Sequence, residues 1–332
     1  MALPIPFDYP PMEARSVAAI PTGTGWQYEP KWDGFRCLAF RERERVELMS
    51  KRGQPLARYF PELVAAFVAL SAKRFALDGE IVVPVEGGFS FDALLQRIHP
   101  AASRIAKLSR ETPAAFIAFD LLVDDRGRSL VELPLIERRP RLENFADKHF
   151  PARSIFLLSP VTLEPSAARA WLEQVGRKTD GVVAKRTDVP YASGERSAMV
   201  KIKKLRSADC VVGGFRYAAG SKDVGSLLLG LYDRDGLLHH VGFTSSFVAG
   251  QRHELKKKLE PLVEPPGFTG NAPGGPSRWS GERSTEWQPL RPELVVEVRY
   301  DHFSGDRFRH GTKFLRWRPD KAPRQCTFDQ VR

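Results

Sequence analysis

Lys31 is the first residue whose surroundings suggest chemistry. It lies between the apolar runs 26–28 and 35–40 and is followed by Asp33, Gly34 and Arg36. Asp-Gly pairs favour tight hairpin turns because glycine accepts a positive φ, so we predict a hairpin that presents the Lys31 amine at its end. An amine is a nucleophile once it is neutral, and desolvation or nearby cations favour the neutral form. An exposed hairpin with a solvated lysine would use the same residues, so both interpretations stay open at this point.

A second candidate group consists of Lys201 and Lys203, which alternate with Val200 and Ile202 in a predicted strand over 199–203. Successive side chains of a strand point to opposite faces, so both ammonium groups project from the same face. Such a pair can neutralise negative charge that develops on a phosphate. The alternative is an ordinary solvated face of a strand.

The elements that must position these residues follow from the hydrophobic pattern. Apolar residues recur every three or four positions over 59–70, which predicts a helix, and Ser90 is a candidate N-cap of a short helix through Arg97. The apolar run 115–123 predicts a strand buried on both faces, in which Asp120 needs a partner. We predict further helices over 134–149 and 166–175, and further strands over 46–49, 75–85, 155–158 and 181–185.

The pattern changes after about residue 206. Several short strands with one helix are typical of a small Greek-key barrel of the oligonucleotide-binding (OB) type. Residues 264–285 are rich in Pro, Gly and Ser and predict a long loop. We place the boundary, and a flexible joint, at residues 205–208. The strands are predicted over 210–217, 226–232, 237–244 and 294–300, and the helix over 251–262.

Composition narrows the choice of partner. A chain of 332 residues suggests two domains, and a formal net charge of +11 favours a polyanion. No apolar run approaches the ~20 residues needed to span a bilayer, and the proline-broken N-terminus does not resemble a signal peptide. Nucleic acid is therefore a better candidate than a membrane surface. Cys37, Cys210 and Cys326 form no Cys-x-x-Cys pair, which disfavours a structural zinc site and fits a reducing cytoplasm.

Seven short segments, in their order and spacing, form a specific signal. They resemble the motifs of the covalent nucleotidyltransferase superfamily, which comprises ATP-dependent DNA ligases, RNA ligases and mRNA capping enzymes. The second half, including Pro190-Tyr191, is similar to the short two-domain bacterial DNA ligases of the LigC type. The segments are Lys31-x-Asp-Gly-x-Arg36, Ser50-Lys51-Arg52-Gly53, Asp78-Gly79-Glu80, Phe119-Asp120-Leu121-Leu122, Asp180 to Lys185, Val200-Lys201-Ile202-Lys203 and Arg318-Pro319-Asp320-Lys321.

The resemblance implies an α+β fold in two domains. Residues 1–205 would form an adenylation (nucleotidyltransferase) domain of mixed antiparallel sheets with helices, similar to the ATP-grasp fold. Residues 206–332 would form a β-barrel OB-fold domain. It also implies the reaction: ATP adenylates Lys31, the AMP passes to a DNA 5′-phosphate, and a 3′-hydroxyl then displaces AMP to seal the nick.

The resemblance further assigns roles to individual residues. Glu80 matches a carboxylate that binds the ribose, Phe119 an aromatic ring that stacks on adenine, and Arg318 a group that orients pyrophosphate. The family usually has Glu where this chain has Asp180. The implied catalytic residues are Lys31, Lys201, Lys203 and Arg36, and the implied ligands of Mg²⁺ or Mn²⁺ are Asp180 and Glu80. The implied ATP-binding residues are Glu29, Lys31, Arg36, Arg52, Glu80, Phe119, Lys185, Lys201, Lys203, Arg318 and Lys321.

The implied partner is nicked duplex DNA. We expect a monomer that does not bind membranes, resides in the cytoplasm with the nucleoid, and serves DNA repair, where protein partners are possible. One alternative is an RNA ligase or a guanylyl-transferring capping enzyme, which the choice of nucleotide and strand would reveal. Another is a non-catalytic DNA-binding protein on a ligase scaffold, which would not become labelled by ATP.

Overall fold

The computed structural model describes residues 2–152, 154–175, 179–247, 250–274 and 286–331. The chain divides into two compact units, Met1–Lys204 and Leu205–Arg332. Among the described residues, none of the helices combines the length and the apolar character that crossing a membrane requires.

The first unit is α+β. Its helices are α1 (Pro61–Ala69), α2 (Phe91–Gln96), α3 (Ala102–Glu111), α4 (Leu135–His149) and α5 (Pro165–Glu173), with a short 3₁₀ helix at Ala57–Tyr59. Its strands are β1 (Arg15–Ser16), β2 (Trp26–Trp32), β3 (Phe35–Glu42), β4 (Arg45–Ser50), β5 (Arg74–Val82), β6 (Pro84–Val85), β7 (Gly88–Phe89), β8 (Ala115–Val123), β9 (Phe156–Leu158), β10 (Thr179–Arg186) and β11 (Met199–Ile202).

Two sheets dominate this unit. One has the strand order β4-β3-β5-β8-β9 and the other the order β1-β11-β10-β2, while β6 and β7 form a separate hairpin. Phe67 of α1 contacts the rings of Phe75, Phe116 and Phe156, which gives the larger sheet an aromatic core. Every residue of β8 is buried, which confirms the prediction of a strand covered on both faces.

The buried Asp120 of β8 has the partner that its position demands. Arg138 of α4 donates two hydrogen bonds to it, Nε to Oδ1 and Nη2 to Oδ2, each 2.9 Å long. The predicted N-cap is also confirmed, since the Ser90 hydroxyl accepts a hydrogen bond from Ala93 N at 3.1 Å. The pattern did not predict α3, which buries only Ile105 among its side chains and therefore carries a weak apolar signal.

The predicted hairpin at Lys31 is wrong. Lys31 lies inside β2, which pairs with β10, whereas β3 pairs with β4 and β5 in the other sheet. Gly34 is not among the residues with positive φ. A Cβ there would instead collide with the Ile81 carbonyl oxygen of β5. Glycine is required at this position because the chain passes close to another strand as it crosses between sheets.

The second unit is built on a six-stranded sheet with the order β14-β13-β12-β16-β19, and β15 also pairs with β12. The sheet is rolled, because an isolated bridge joins Thr244, at the end of one edge strand, to Thr312, which precedes the other. Helix α6 (Gln251–Leu259) continues as a 3₁₀ turn, Glu260–Leu262, and further 3₁₀ turns are Pro323–Gln325 and Phe328–Gln330. The strands are β12 (Arg206–Tyr217), β13 (Val224–Tyr232), β14 (Leu238–Thr244), β15 (Gln288–Pro289), β16 (Val295–Tyr300), β17 (Phe303–Ser304), β18 (Arg307–Phe308) and β19 (Lys313–Trp317).

Strand β12 begins earlier than the pattern predicts. Arg206, Ser207 and Ala208 pair with the strand β16, so most of the predicted joint at 205–208 is part of a sheet. The residues between β11 and β12, 203–205, are the segment outside regular structure. Of the loop predicted over 264–285, residues 275–285 lie outside the described residues.

Candidate active site

Both larger sheets of the first unit contribute side chains to one pocket of about 180 Å³. Its walls come mainly from β2, β3, β5, β8, β10 and β11. It brings together most of the residues singled out in the sequence. The lining residues are Glu13, Ala14, Glu29, Pro30, Lys31, Trp32, Arg36, Lys51, Glu80, Phe119, Val183, Lys185, Met199 and Lys201.

One end of the site holds three charged groups in direct contact. Lys31 Nζ lies 2.8 Å from Asp180 Oδ2, and Lys203 Nζ lies 3.0 Å from the same oxygen. Burial alone would raise the pKa of Asp180, but the two ammonium groups hold it below its ordinary value. One carboxylate is thus shared by two lysines, one inside β2 and one directly after β11.

An irregularity in strand β10 creates this arrangement. The register between β10 and β2 shifts between Thr179 and Val182, as in a β-bulge. Gly181, within the shift, has φ +143°, and a Cβ there would overlap the Ile202 carbonyl oxygen. The bulge re-aims Asp180 toward Lys31.

Lys201 also lines the pocket. Its pKa lies below the ordinary value, first because of burial and then because Lys31 and Lys203 face it. Several cations therefore crowd one side of the pocket, a setting that attracts phosphate.

At the other end, Phe119 presents a ring flanked by two cations. Arg36 Cζ lies 4.8 Å from the ring centroid and Lys185 Nζ lies 4.7 Å from it. Lys185 also pairs with Glu29 at 2.7 Å, and both side chains are 3% exposed. Gln27 donates a further hydrogen bond to Glu29 at 3.0 Å. A flat aromatic face beside a fixed donor and acceptor suits a planar base.

Arg36 is fixed by a closed set of hydrogen bonds. Its Nε and Nη2 each donate to Asp78 at 2.6 Å, and Nη2 also donates to the Met12 carbonyl oxygen at 3.2 Å. The Tyr191 hydroxyl donates to Asp78 at 2.6 Å and accepts from Met12 N at 2.9 Å. No role was predicted for Asp78 or Tyr191, although both stand in segments that resemble ligase sequences.

Glu80 has the carboxylate with the most perturbed environment in the pocket. Burial raises its pKa to about 7, against the opposing effect of Lys31 and Arg36. Carboxylate oxygens are the ligands that Mg²⁺ and Mn²⁺ prefer, so Glu80 and Asp180 fit a divalent cation chemically. Within the described part of the chain, no group of three or more His, Cys, Asp or Glu residues is arranged to hold a metal.

Five predicted site residues are not among the lining residues: Asp180 and Lys203, which contact each other next to Lys31, and Arg52, Arg318 and Lys321. Arg52 is exposed in the turn after β4, and its neighbour Lys51 lines the pocket instead. Arg318 and Lys321 belong to the second unit. There Arg318 Nη1 contacts Asp209 at 2.8 Å, Arg318 Nη2 contacts Asp320 at 2.9 Å, and Lys321 Nζ lies 3.4 Å from Asp209.

Comparison with known proteins decides the family. A family model described as "ATP dependent DNA ligase domain" matches residues 11–203, and one described as "ATP dependent DNA ligase C terminal region" matches residues 220–321. The chain belongs to the ATP-dependent DNA ligases. The ligase is therefore an enzyme of a family that uses ATP and a divalent metal ion.

Two curated relatives confirm the similarity to the short LigC type. DNA ligase C2 of Mycolicibacterium smegmatis is 46% identical, and DNA ligase C of Mycobacterium tuberculosis is 43% identical. Each alignment covers 100% of this chain and 96% of the relative. Among solved structures, the mycobacterial DNA ligase D complexed with ATP and MES matches with a TM-score of 0.50 and 28% identity, over 97% of this chain and 98% of that one. The predicted fold class, a nucleotidyltransferase domain followed by an OB-fold domain, is confirmed.

Proposed function

We propose that this ligase seals 5′-phosphate/3′-hydroxyl nicks in duplex DNA through a lysyl-AMP on Lys31 and a DNA-adenylate. The observation that carries the proposal is the pocket itself. It places the Lys31 amine, at 2.8 Å from Asp180, in one cavity with the Lys201 ammonium group and the Phe119 ring.

In the first step, Lys31 Nζ attacks the α-phosphorus of ATP. A P–N bond forms, the P–O bond to the β-phosphate breaks, and pyrophosphate leaves. The amine must first lose its proton, and Asp180 Oδ2 is the acceptor in hydrogen-bond contact with it. Lys201 and Lys203 stabilise the charge that develops on the phosphate oxygens.

The other predicted nucleotide-binding residues contact different parts of the nucleotide. Phe119 stacks on adenine while Lys185 and Glu29 read its edge, and Glu80 binds the ribose. Arg36, which Asp78 and Tyr191 hold rigid, contacts the nucleotide or the nick. The exposed Arg52 suits contact with DNA better than contact with the nucleotide.

Metal binding and the leaving group involve the remaining residues. A divalent cation held by Glu80 and Asp180 would supply positive charge at the phosphates. Arg318 and Lys321 of the second unit orient the pyrophosphate. Hydrogen bonds to Asp209 and Asp320 hold Arg318, and an ion pair with Asp209 at 3.4 Å holds Lys321, so both side chains are in place for that role.

The wider assignments follow from charge and kinship. The net charge of +11 suits duplex DNA, and we propose a monomer that acts in DNA repair near the nucleoid. DNA affinity should fall steeply with salt if the basic surface contacts several phosphates.

The test is covalent labelling with α-labelled ATP and Mg²⁺, followed by a denaturing gel and by sealing of a 5′-labelled nicked duplex. We expect label on the wild type and none on Lys31→Arg, which retains a cation beside Asp180 but lacks the nucleophilic amine. Labelling by GTP alone would indicate a capping enzyme, and sealing only of RNA strands would indicate an RNA ligase. Absence of label from any nucleotide, after pyrophosphate has stripped bound AMP, would refute the proposal.

A further inference from the structure

The rim of the pocket carries an anion of the protein's own. Glu13 lines the pocket, and its Oε2 accepts contacts from two cations. Arg196 donates through Nη2 at 2.8 Å and through Nε at 2.9 Å, and Lys51 Nζ lies 3.3 Å away. A single carboxylate oxygen thus serves three donor atoms from two different segments of the chain.

The backbone around Glu13 is anchored, so exchange of its partners requires only that its side chain move. Met12 N donates to Tyr191 and Met12 O accepts from Arg36. Glu13 N donates to the Glu195 carbonyl oxygen at 2.8 Å.

Both cations lie near enough to the phosphate end of the pocket for their charges to act on Lys201. Lys51 lines the pocket together with Lys31 and Lys201. After burial and the charges of Lys31 and Lys203, Lys51 and Arg196 are the further charges that lower the pKa of Lys201. An anion that approaches Lys201 therefore also approaches the cations that Glu13 occupies.

We propose that Glu13 is a phosphate placeholder: its carboxylate occupies Lys51 and Arg196 until a phosphate group of the substrate displaces it. This inference rests on the proposed ligase function. The displacing group is either the terminal 5′-phosphate of the nick or the triphosphate of ATP, and the two sources share the same chemistry.

The geometry makes the exchange inexpensive and directional. Lys51 and Arg196 are 48% and 68% exposed, and ion pairs at such exposure are weak. A terminal phosphate carries about two negative charges and three acceptor oxygens, whereas the carboxylate offers one charge and uses one oxygen. After sealing, the phosphate becomes a diester with one charge, so Glu13 competes better and favours release of the product.

The decisive measurement compares Glu13→Gln with the wild type. The probe is a labelled nicked duplex that carries a 3′-dideoxy end and either a 5′-phosphate or a 5′-hydroxyl, titrated in EDTA so that no step of sealing proceeds. We expect Kd for the 5′-phosphate nick to fall about threefold, the size of one exposed ion-pair network, and Kd for the 5′-hydroxyl nick to stay unchanged.

The matched control is Glu195→Gln. It removes one negative charge beside Arg196, but Glu195 contacts Ser197 rather than the two cations. We expect it to change Kd for both nicks by the same small factor. If Glu13→Gln instead lowers the apparent KM for ATP in the labelling assay and leaves both nicks unchanged, the exchange stands and the triphosphate is its source.

Other outcomes overturn the placeholder. If Glu13→Gln bound the 5′-phosphate nick and ATP no more tightly than the wild type does, Glu13 would only stabilise the rim of the pocket. If that variant does not fold, Glu13→Asp retains the charge at shorter reach, and an unchanged Kd for both ligands would be equally negative. Sealing by the wild type, measured in parallel, separates the two proposals. A wild type that seals no nick refutes the ligase function. An active wild type whose Kd for the nicks and KM for ATP equal those of Glu13→Gln refutes only the placeholder.

Discussion

In the first unit one carboxylate, Asp180, forms ion pairs with two cations. In the second unit one cation, Arg318, forms ion pairs with two carboxylates. Asp180 accepts Lys31 and Lys203, while Arg318 donates to Asp209 and Asp320. The carboxylates beside Arg318 raise its pKa further above an already high value.

The two arrangements differ in the net charge that is left to act on a ligand. Around Asp180 the cations outnumber the carboxylate, and Lys201 adds a further positive charge, so the pocket retains a positive potential for phosphate. In the second unit Asp209 and Asp320 balance the charges of Arg318 and Lys321 and fix the direction of the Arg318 guanidinium. The first arrangement attracts a ligand, and the second holds a side chain ready in one orientation.

Among the variants that test this comparison, Asp180→Asn should have the largest effect on activity. Asparagine has nearly the same shape but leaves Lys31 and Lys203 without a shared anion and removes a ligand for the divalent cation. We expect the rate of lysyl-AMP formation to fall about 100-fold, as for the loss of one preorganised electrostatic contact. Rapid-quench labelling with α-labelled ATP measures it.

Two further variants sharpen that result. Asp180→Glu restores the residue usual in the family and should retain activity within about tenfold, because the longer side chain still reaches a cation site. Asp188→Asn removes an exposed partner of Arg186 on the same unit and should have no effect. Equal loss from Asp180→Asn and Asp180→Glu would show that reach, not charge, is what matters.

An effect of intermediate size is expected from Glu80→Gln on stability. Burial raises the pKa of Glu80 to about 7 in the folded protein, above the 4.5 of the unfolded chain. The folded state therefore binds a proton that the unfolded state has lost, so stability falls as pH rises between these two values. Glutamine has no such proton, so the variant should gain about 2–3 kcal/mol over the wild type at pH 8 compared with pH 5.

Urea unfolding of the ligand-free protein at the two pH values measures this difference. Glu86→Gln, which replaces an exposed carboxylate in the turn between β6 and β7, is the control and should show no pH-dependent gain. A gain that is the same at pH 5 and pH 8 would contradict the assignment to Glu80 ionisation.

The smallest effect is expected from Asp209→Asn in the second unit. Arg318 retains Asp320, but the shared contact to Arg318 and Lys321 weakens. We expect labelling by ATP to slow about threefold, the equivalent of less than 1 kcal/mol. Sealing of a pre-adenylated nick should be unchanged, because it needs no pyrophosphate orientation.

Glu293→Gln, beside Arg291 on the same unit, is the matched control. If Asp209→Asn slowed the sealing of pre-adenylated DNA as much as it slowed labelling, the carboxylates of the second unit would instead position Arg318 and Lys321 for contact with DNA.

Local pattern was enough to predict much of the fold. The continuous apolar run gave the buried strand β8, and the Ser90 cap gave the start of α2, because both signals lie in adjacent residues. The pocket likewise unites Lys31, Arg36, Glu80, Phe119, Lys185 and Lys201, which the sequence analysis had singled out together.

What the pattern missed depends on pairing between distant segments. Asp33-Gly34 looks like a hairpin turn locally, and only the approach of Ile81 shows why glycine stands there. The bulge at Gly181 and the contact of Tyr191 with Asp78 likewise exist only once separate strands have met. The sequence also did not indicate that Lys51, and not Arg52, lines the pocket. The two are both basic, and adjacent residues of a turn differ in the direction of their side chains.

The anchoring of Met12 by Tyr191 has a consequence for synthesis of the protein. The two residues are 179 positions apart, and β1 pairs in parallel with β11, through Arg15 with Val200 and Ser16 with Lys201. At about 5–20 residues per second, the ribosome needs on the order of 10–40 s to bring the second partner into existence. During that time β1 has no partner strand, so a chain that stops before β11 lacks part of the proposed nucleotide site. Under the proposed function, ATP binding would thus require that the first unit has been translated through β11.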